Sequence, residues 1–197
     1  MKLRLPLLAL AVTGTMATAA SCSSVNHPAA TVNGHKISMD TFLKVAKGLQ
    51  MAQDGQQATD PATPARTPTL ATGDNARTVL QALITSEVFA EELAKSGHPL
   101  TDADLKTVSD SLVSNPTYAA YAPDVQRLVV ELTAAQNAFA AAHGTSQTEA
   151  QQAAQAAFAA ASIQVDPTIG VWSTQTLSLV PLGQVPEGDG AAPAVNG

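Results

Sequence analysis

The chain contains a single cysteine, Cys22, among its 197 residues. No disulfide can therefore form within it, and packing and hydrogen bonds alone must stabilise the fold. Aromatic residues make up only 4% of the sequence, so the core has to be built mainly from Leu, Val, Ile and Ala. Such an alanine-rich composition favours a helical domain with close helix contacts.

Positive charge is also scarce. The sequence has 10 Lys and Arg residues against 16 Asp and Glu residues, which gives a formal net charge of -6. An acidic chain without a basic cluster lacks the electrostatic footprint of a nucleic-acid-binding protein, so we expect no nucleic-acid partner. By the same reasoning, its surface should gain no electrostatic attraction to an anionic membrane.

The motifs that commonly carry catalysis or metal binding are missing. The sequence holds no H-E-x-x-H or C-x-x-C spacing, no G-x-S-x-G elbow and no glycine-rich phosphate loop. Serine and aspartate are plentiful, so counting alone leaves a catalytic triad open. Glu91 and Lys95 have the spacing of an ion pair on a solvated helix face. The histidines stand far apart at expected turns and element ends, where surface positions are usual; they are His27, His35, His98 and His143. We therefore predict a protein without catalytic residues, metal or cofactor.

The first 21 residues have the three parts of a secretory signal peptide. Lys2 and Arg4 come first, an apolar run over 5–12 follows, and residues 14–21 are small apart from Met16. The apolar run is too short to span a bilayer, which needs about 20 such residues. We therefore predict export and removal of 1–21, after which the loss of two basic residues brings the formal net charge to -8.

The four residues from Ala19 to Cys22 resemble the lipobox of bacterial lipoproteins, although that family usually has Leu at the position of Ala19. The resemblance implies that the Cys22 thiol receives a diacylglyceryl group and that Cys22 becomes the mature N-terminus. Two acyl chains anchor a protein stably to a membrane. The short polar stretch over 22–30 is interpreted as a tether to the folded domain. The alternative is an ordinary signal peptide, whose cleavage leaves Cys22 with a free thiol.

Residues 31–181 are predicted to form one mainly α-helical domain, with about five helices and a small β element made by its two ends. Asn33-Gly34, between Val32 and Ile37, is a strong hairpin signal. Each β-like end is too short to form a sheet alone, so we expect the two ends to pair. In chain order, the pattern predicts a helix over 38–53, a flexible loop over 54–73, helices over 75–95, 101–112, 123–142 and 146–162, strands within 163–180, and a flexible tail over 182–197.

The two ends of the predicted domain resemble the SurA N-terminal domain, the chaperone module of SurA- and PrsA-type foldases. The matching residues of the opening segment are Val32, Asn33, Gly34, Ile37, Ser38 and Phe42. The closing segment is similar through Pro167, Gly170 and Trp172, although Thr168 stands where family members often have Arg. The resemblance covers about 31–181. No segment resembles the parvulin-type isomerase domain of those foldases, so the resemblance implies a module without isomerase activity.

The resemblance also implies a chaperone-like function. Such a protein would bind unfolded or newly exported polypeptides at the outer face of the cytoplasmic membrane or in the periplasm, held by its N-terminal lipid. We expect an apolar groove between the helices at 75–95 and 123–142. Its candidate peptide-binding residues, each of which is an ordinary core residue in the alternative interpretation, are Phe89, Tyr118, Tyr121 and Phe139. A structural seam between the terminal strands and the helices is expected at Val32, Gly34, Ile37 and Trp172. The competing interpretation is a non-catalytic envelope lipoprotein that docks one dedicated partner.

Overall fold

The computed structural model describes residues 27–57, 74–144 and 146–181. Most of them are helical, and short strands lie at both ends, so the predicted fold class is confirmed. The helices are α1 (Met39–Gln57), α2 (Asp74–Lys95), α3 (Asp102–Leu112), α4 (Pro116–Ala119), α5 (Pro123–His143) and α6 (Gln147–Ala160). The strands are β1 (Pro28–Val32), β2 (His35–Ser38), β3 (Ile163–Val165), β4 (Val171–Ser173) and β5 (Ser178–Val180).

Strands β1 and β2 form the predicted hairpin. Its turn residues Asn33 and Gly34 have φ angles of 50° and 90°, the left-handed conformation that a type I′ turn requires and that Asn and Gly adopt most readily. On its other side β1 pairs antiparallel with β3, and Val32 lies opposite Ile163. The sheet order is therefore β2-β1-β3, and the prediction that the two ends of the domain pair is confirmed.

Strands β4 and β5 form a separate antiparallel hairpin. The strands predicted within 163–180 are therefore present as β3, β4 and β5, but only β3 pairs with the amino-terminal end of the domain. The side chain of Gln81 in α2 binds the backbone of this hairpin. Its Oε1 accepts a hydrogen bond from the Leu179 amide at 2.7 Å, and its Nε2 donates to the Leu177 carbonyl at 3.3 Å. The amide side chain thereby replaces a neighbouring strand and satisfies backbone groups of β5.

Two helix boundaries follow from local capping. After α2, Gly97 has a φ of 81°, and the His98 amide donates to the Leu93 carbonyl at 2.8 Å. This is the Schellman arrangement in which a left-handed glycine ends a helix. At the start of α3, Thr101 and Asp104 form a capping box, each side chain accepting from the backbone amide of the other.

Three other boundaries differ from the prediction. Strand β1 begins at Pro28, so residues 28–30 of the predicted tether belong to the sheet. Helix α1 continues to Gln57, past the predicted end at residue 53, because no proline interrupts it before that point. The additional helix α4 is a single turn that begins at a proline and is capped by the Asn115 side chain. The predicted signal peptide, Cys22, the remaining loop residues 58–73 and the tail 182–197 lie outside the described residues.

The main core lies between the helices and the three-stranded sheet. Its largest fully buried apolar side chains are Val32, Phe42, Val45, Leu80, Ile84 and Leu93. A second, smaller cluster of Val108, Val130 and Ala134 joins α3 to α5. This small cluster is the main apolar contact of α3 and α4 with α5. We call α3 and α4 together the arm.

Candidate functional site

Four aromatic side chains from four elements pack in one continuous row. Phe89 of α2 and Phe139 of α5 stack with their ring centroids 4.3 Å apart. Phe158 of α6 lies 5.6 Å from Phe89, and also 5.6 Å from Trp172 of β4. Because Phe89 is only 7% exposed and Phe139 only 2%, these rings fill the space where the groove between α2 and α5 was expected. Both rings are core residues in this arrangement, and their role in peptide binding stays a prediction that requires the two helices to separate.

The two tyrosines of the predicted groove are half-buried and belong to different clusters. Tyr118, in α4, packs against the small cluster between α3 and α5, whereas Tyr121 packs against the main core. The structure therefore does not bring the four predicted lining residues into one groove. Beyond the end of α3, Val113 is 72% exposed. Sequence reasoning missed Val113, because it follows the last apolar residue of the helical pattern.

The residues predicted for the structural seam lie in three places. Val32 and Ile37 are buried on the inner face of the three-stranded sheet. Gly34 is exposed at the tip of the first hairpin. Trp172 is buried where the second hairpin meets α6, beside Phe158. Trp172 thus packs a carboxy-terminal strand against a helix, as predicted for the seam. It belongs to the two-stranded sheet, however, whereas Val32, Gly34 and Ile37 belong to the hairpin of the three-stranded sheet.

A group of polar side chains fastens the tip of the first hairpin to α2 and to the segment before β3. Asn33 Nδ2 donates to Glu91 Oε2 at 2.6 Å, and Asn33 Oδ1 accepts from the Ser162 amide at 2.7 Å. Lys95 Nζ binds the other Glu91 oxygen at 2.7 Å. We call these four residues the hairpin latch. The spacing of Glu91 and Lys95 predicts their pair, but the sequence around Asn33 indicates only a turn, and its side-chain partners come from distant segments.

The pKa values of Glu91 and Lys95 in the latch, and of Glu131 on α5, are among those shifted by their surroundings. The hydrogen bond from Lys95, and after it the bond from the turn asparagine, lowers the pKa of Glu91; the same Glu91 bond raises the pKa of Lys95. Burial raises the pKa of Glu131 on α5, an effect that Arg127 opposes and Glu87 strengthens. The shifts in the latch favour the charged forms of both partners, which suits an ion pair and not a group that exchanges protons near neutral pH.

The histidines are dispersed. His35 Nδ1 lies 3.7 Å from Glu87 Oε1. The expectation of a surface position is wrong for His143, which is half-buried at the end of α5 with its ring 4.4 Å from that of Phe139. Its Nε2 atom is buried and has no hydrogen-bond partner in the part of the chain that the structure describes. Across the same residues, no three His, Cys, Asp or Glu side chains converge in a way that could hold a metal ion.

Compared with known protein families, with curated proteins and with solved structures, the chain matches none. Of the helices in 27–57, 74–144 and 146–181, none has the length and apolar character needed to cross a membrane.

Two surfaces carry the large exposed apolar side chains of the described residues. One is the end of the arm, at Val113. The other is the outward face of α1, where Met51 is 62% exposed and Leu43 is 40% exposed. Single exposed apolar side chains are common in soluble proteins, so each surface needs a further argument before it is assigned a partner.

Proposed function

We propose that the protein is a lipid-anchored, extracytoplasmic, chaperone-like protein that binds unfolded or newly exported polypeptides and has no prolyl isomerase activity. One observation supports this proposal most: β1 pairs with β3, so that the two ends of the domain enclose a helical body. That is the arrangement implied by the resemblance of Val32-Asn33-Gly34 and Trp172 to the SurA N-terminal domain. The predicted signal peptide and the lipobox-like Cys22 are the grounds for placing it at the outer face of the cytoplasmic membrane.

In this proposal, clients bind the arm. Val113 presents most of its side chain to solvent, and Tyr118 is half-buried beside the cluster that joins the arm to α5. A client that covers apolar surface there gains about 0.8 kcal/mol for each buried methylene group, whatever its sequence. Binding of this kind is weak and tolerant of sequence, as a chaperone for many polypeptides requires.

An aggregation assay tests the proposal. The purified protein should slow the aggregation of several unrelated denatured proteins at near-stoichiometric ratios. The variant Val113→Ser should protect them less well, whereas Met51→Ser, an equally conservative change at an exposed position of α1, should protect them as the parent does. A proline-containing test peptide should isomerise at the uncatalysed rate in the presence of the protein.

The competing function is an envelope lipoprotein that docks one dedicated partner. The observation that favours it is the packing of Phe89 against Phe139, which leaves no open apolar groove between α2 and α5. If the protein protects no denatured client, and affinity purification returns one partner in stoichiometric amount, the dedicated-partner function replaces the chaperone function.

The anchor is tested separately. Replacing Cys22 with serine removes the only thiol that can be acylated. The C22S protein should appear in the soluble extracytoplasmic fraction, while the parent sediments with membranes. Retention of C22S on membranes as complete as that of the parent contradicts lipid attachment at this residue.

A further inference from the structure

The charges of this acidic protein are distributed unevenly along the chain. Residues 27–57, which contain β1, β2 and α1, carry three lysines against two aspartates, whereas residues 58–197 carry five basic and fourteen acidic residues. The hairpin and α1 together therefore carry a formal net charge of +1, whereas the rest of the chain beyond them carries -9. We expected no attraction between the protein surface and an anionic membrane because the whole chain is acidic. That reasoning does not extend to residues 27–57, whose net charge is positive.

Two lysines in that stretch are free of ion pairs. Lys44 is paired with Asp40 at 2.8 Å, but Lys36 and Lys47 are exposed and form no ion pair with any residue that the structure describes. The basic residues of α2, α3 and α5, in contrast, each have an acidic partner. Lys36 and Lys47 are thus the described cations that remain available to an external anion.

Helix α1 places one of these lysines between two exposed apolar side chains. Leu43, Lys47 and Met51 follow each other at intervals of four residues, which puts them on one face of a helix over a length of about 12 Å. All three are exposed, whereas Phe42 and Val45 on the opposite face are buried. We call Leu43, Lys47 and Met51 the α1 stripe. Exposed apolar side chains that flank an unpaired cation supply the two attractions that hold a helix in a membrane interface, burial of apolar surface and attraction to anionic lipids.

The α1 stripe lies near the point where the chain leaves the domain toward Cys22. Strand β1 begins at Pro28, which pairs with Ser38, the residue that directly precedes α1. Five peptide steps connect Cys22 with His27, and a fully extended chain covers at most about 18 Å in that distance. A lipid attached to Cys22 therefore holds the first turn of α1 close to the bilayer surface. Some face of the domain must meet the lipid headgroups, and residues 58–197 supply nearly three times as many acidic as basic side chains.

We propose that the α1 stripe is a membrane-docking surface that lies on anionic lipid headgroups and orients the domain beneath its anchor. This inference rests on the proposed lipid attachment at Cys22. Lys47 contacts the anionic headgroups, and Leu43 and Met51 enter the interfacial layer. The acidic remainder of the domain then points away from the membrane, which leaves Val113 and the arm free for clients.

Site-specific fluorescent labelling tests this arrangement. The acylated protein that begins at Cys22 has no free thiol, so Met51→Cys and Val113→Cys each introduce a single labelling site. Val113 is the matched control because it is also apolar and exposed. Each labelled protein is reconstituted on vesicles of phosphatidylcholine alone and on vesicles with about one-third phosphatidylglycerol. On the anionic vesicles, an environment-sensitive dye at residue 51 should shift to the blue and show roughly twofold less quenching by aqueous iodide than the dye at residue 113.

The possible results separate the docking surface from the anchor. If the protein floats with the vesicles but both dyes stay equally accessible to iodide, the anchor holds and the docking surface is refuted. If the protein does not float, the anchor is wrong and the docking surface falls with it. If the dye at residue 51 responds to denatured client without vesicles and not to vesicles, the α1 stripe is a polypeptide-binding surface and the proposal is overturned.

Charge reversal gives a second readout. Because Lys47 makes no ion pair with the described residues, Lys47→Glu should leave the fold intact while abolishing the extra protection of residue 51 on anionic vesicles. Lys106→Glu reverses the charge of an exposed lysine on α3, where it also removes the pair with Asp110, and as the control for charge reversal away from α1 it should leave that protection unchanged. Equal losses in the two variants refute a local role for Lys47.

Discussion

Replacing Asn33 with alanine tests how much the hairpin latch contributes to stability. The substitution removes two side-chain hydrogen bonds, one to the Glu91 carboxylate and one from the Ser162 amide. The first, to a charged but only part-buried group, contributes about 1.5 kcal/mol, and the second contributes about 1 kcal/mol. Alanine at a φ of 50° adds about 1 kcal/mol of backbone strain. The free energy of unfolding should therefore fall by about 3.5 kcal/mol, which corresponds to a decrease in Tm of roughly 7–14 °C.

A glycine variant separates the two contributions. Asn33→Gly loses the same hydrogen bonds but adopts a positive φ without strain, so it should cost about 2.5 kcal/mol. Urea titration followed by far-UV circular dichroism measures all three proteins, because the fold is mainly helical. If Asn33→Ala unfolds within about 0.5 kcal/mol of the parent, the latch contributes nothing beyond an ordinary surface position. If the glycine and alanine variants are equally unstable, the strain argument is wrong.

Three further substitutions examine other parts of the fold. Trp172→Ala opens a cavity beside Phe158 and should lower the free energy of unfolding by about 3–5 kcal/mol; Trp172→Phe retains a ring there and should be milder, and equal effects of the two would argue against a packing role. Glu131→Gln should raise Tm at pH 7, because the pKa of Glu131 is raised in the folded state above its ordinary 4.5. The stability that protonated Glu131 provides is complete below pH 4.5 and is lost as pH rises through the pKa of the folded state. The gain in Tm from glutamine should therefore vanish in acid. A gain in Tm that persists in acid contradicts the burial effect. Gln81→Leu removes both hydrogen bonds to the second hairpin and should cost about 2 kcal/mol, with faster amide exchange in β5 than in β1, whereas uniform acceleration would mean that Gln81 acts on the whole domain.

Local signals predict a large part of this fold. Asn33-Gly34 specifies the first turn because few other residues accept a positive φ, and Gly97 ends α2 for the same reason. The capping box at Thr101 needs only residues three apart. The pairing of β1 with β3 is not local, but it follows from a simple requirement: two β-like pieces at the ends of a helical chain each need a neighbour.

The candidate site depends on contacts that periodicity does not encode. The apolar positions of α2 and α5 predict which faces are buried, but an open groove and a filled interface have the same pattern. Whether Phe89 and Phe139 line a groove or stack is decided by the distance between the helices. The partners of Asn33 likewise come from segments far along the chain. The hydrophobic periodicity also does not show that Val113 and Met51 are exposed, because an apolar residue next to the buried stripe of a helix is counted with that stripe.

The position of β1 in the sheet order β2-β1-β3 also has a consequence for biosynthesis. Strand β2 follows β1 directly in the chain. Strand β3 comes much later: Ser162, the residue just before it, hydrogen-bonds Asn33 and lies 129 residues after Asn33. Synthesis and the proposed export both deliver the amino end first, so an emerging chain holds β1 paired on one side only until nearly the whole domain is present. Closing so long a loop is slow, and an open strand edge is a template for association with other chains. The arrival of β3 therefore determines when the edge of β1 ceases to be open to association with other chains.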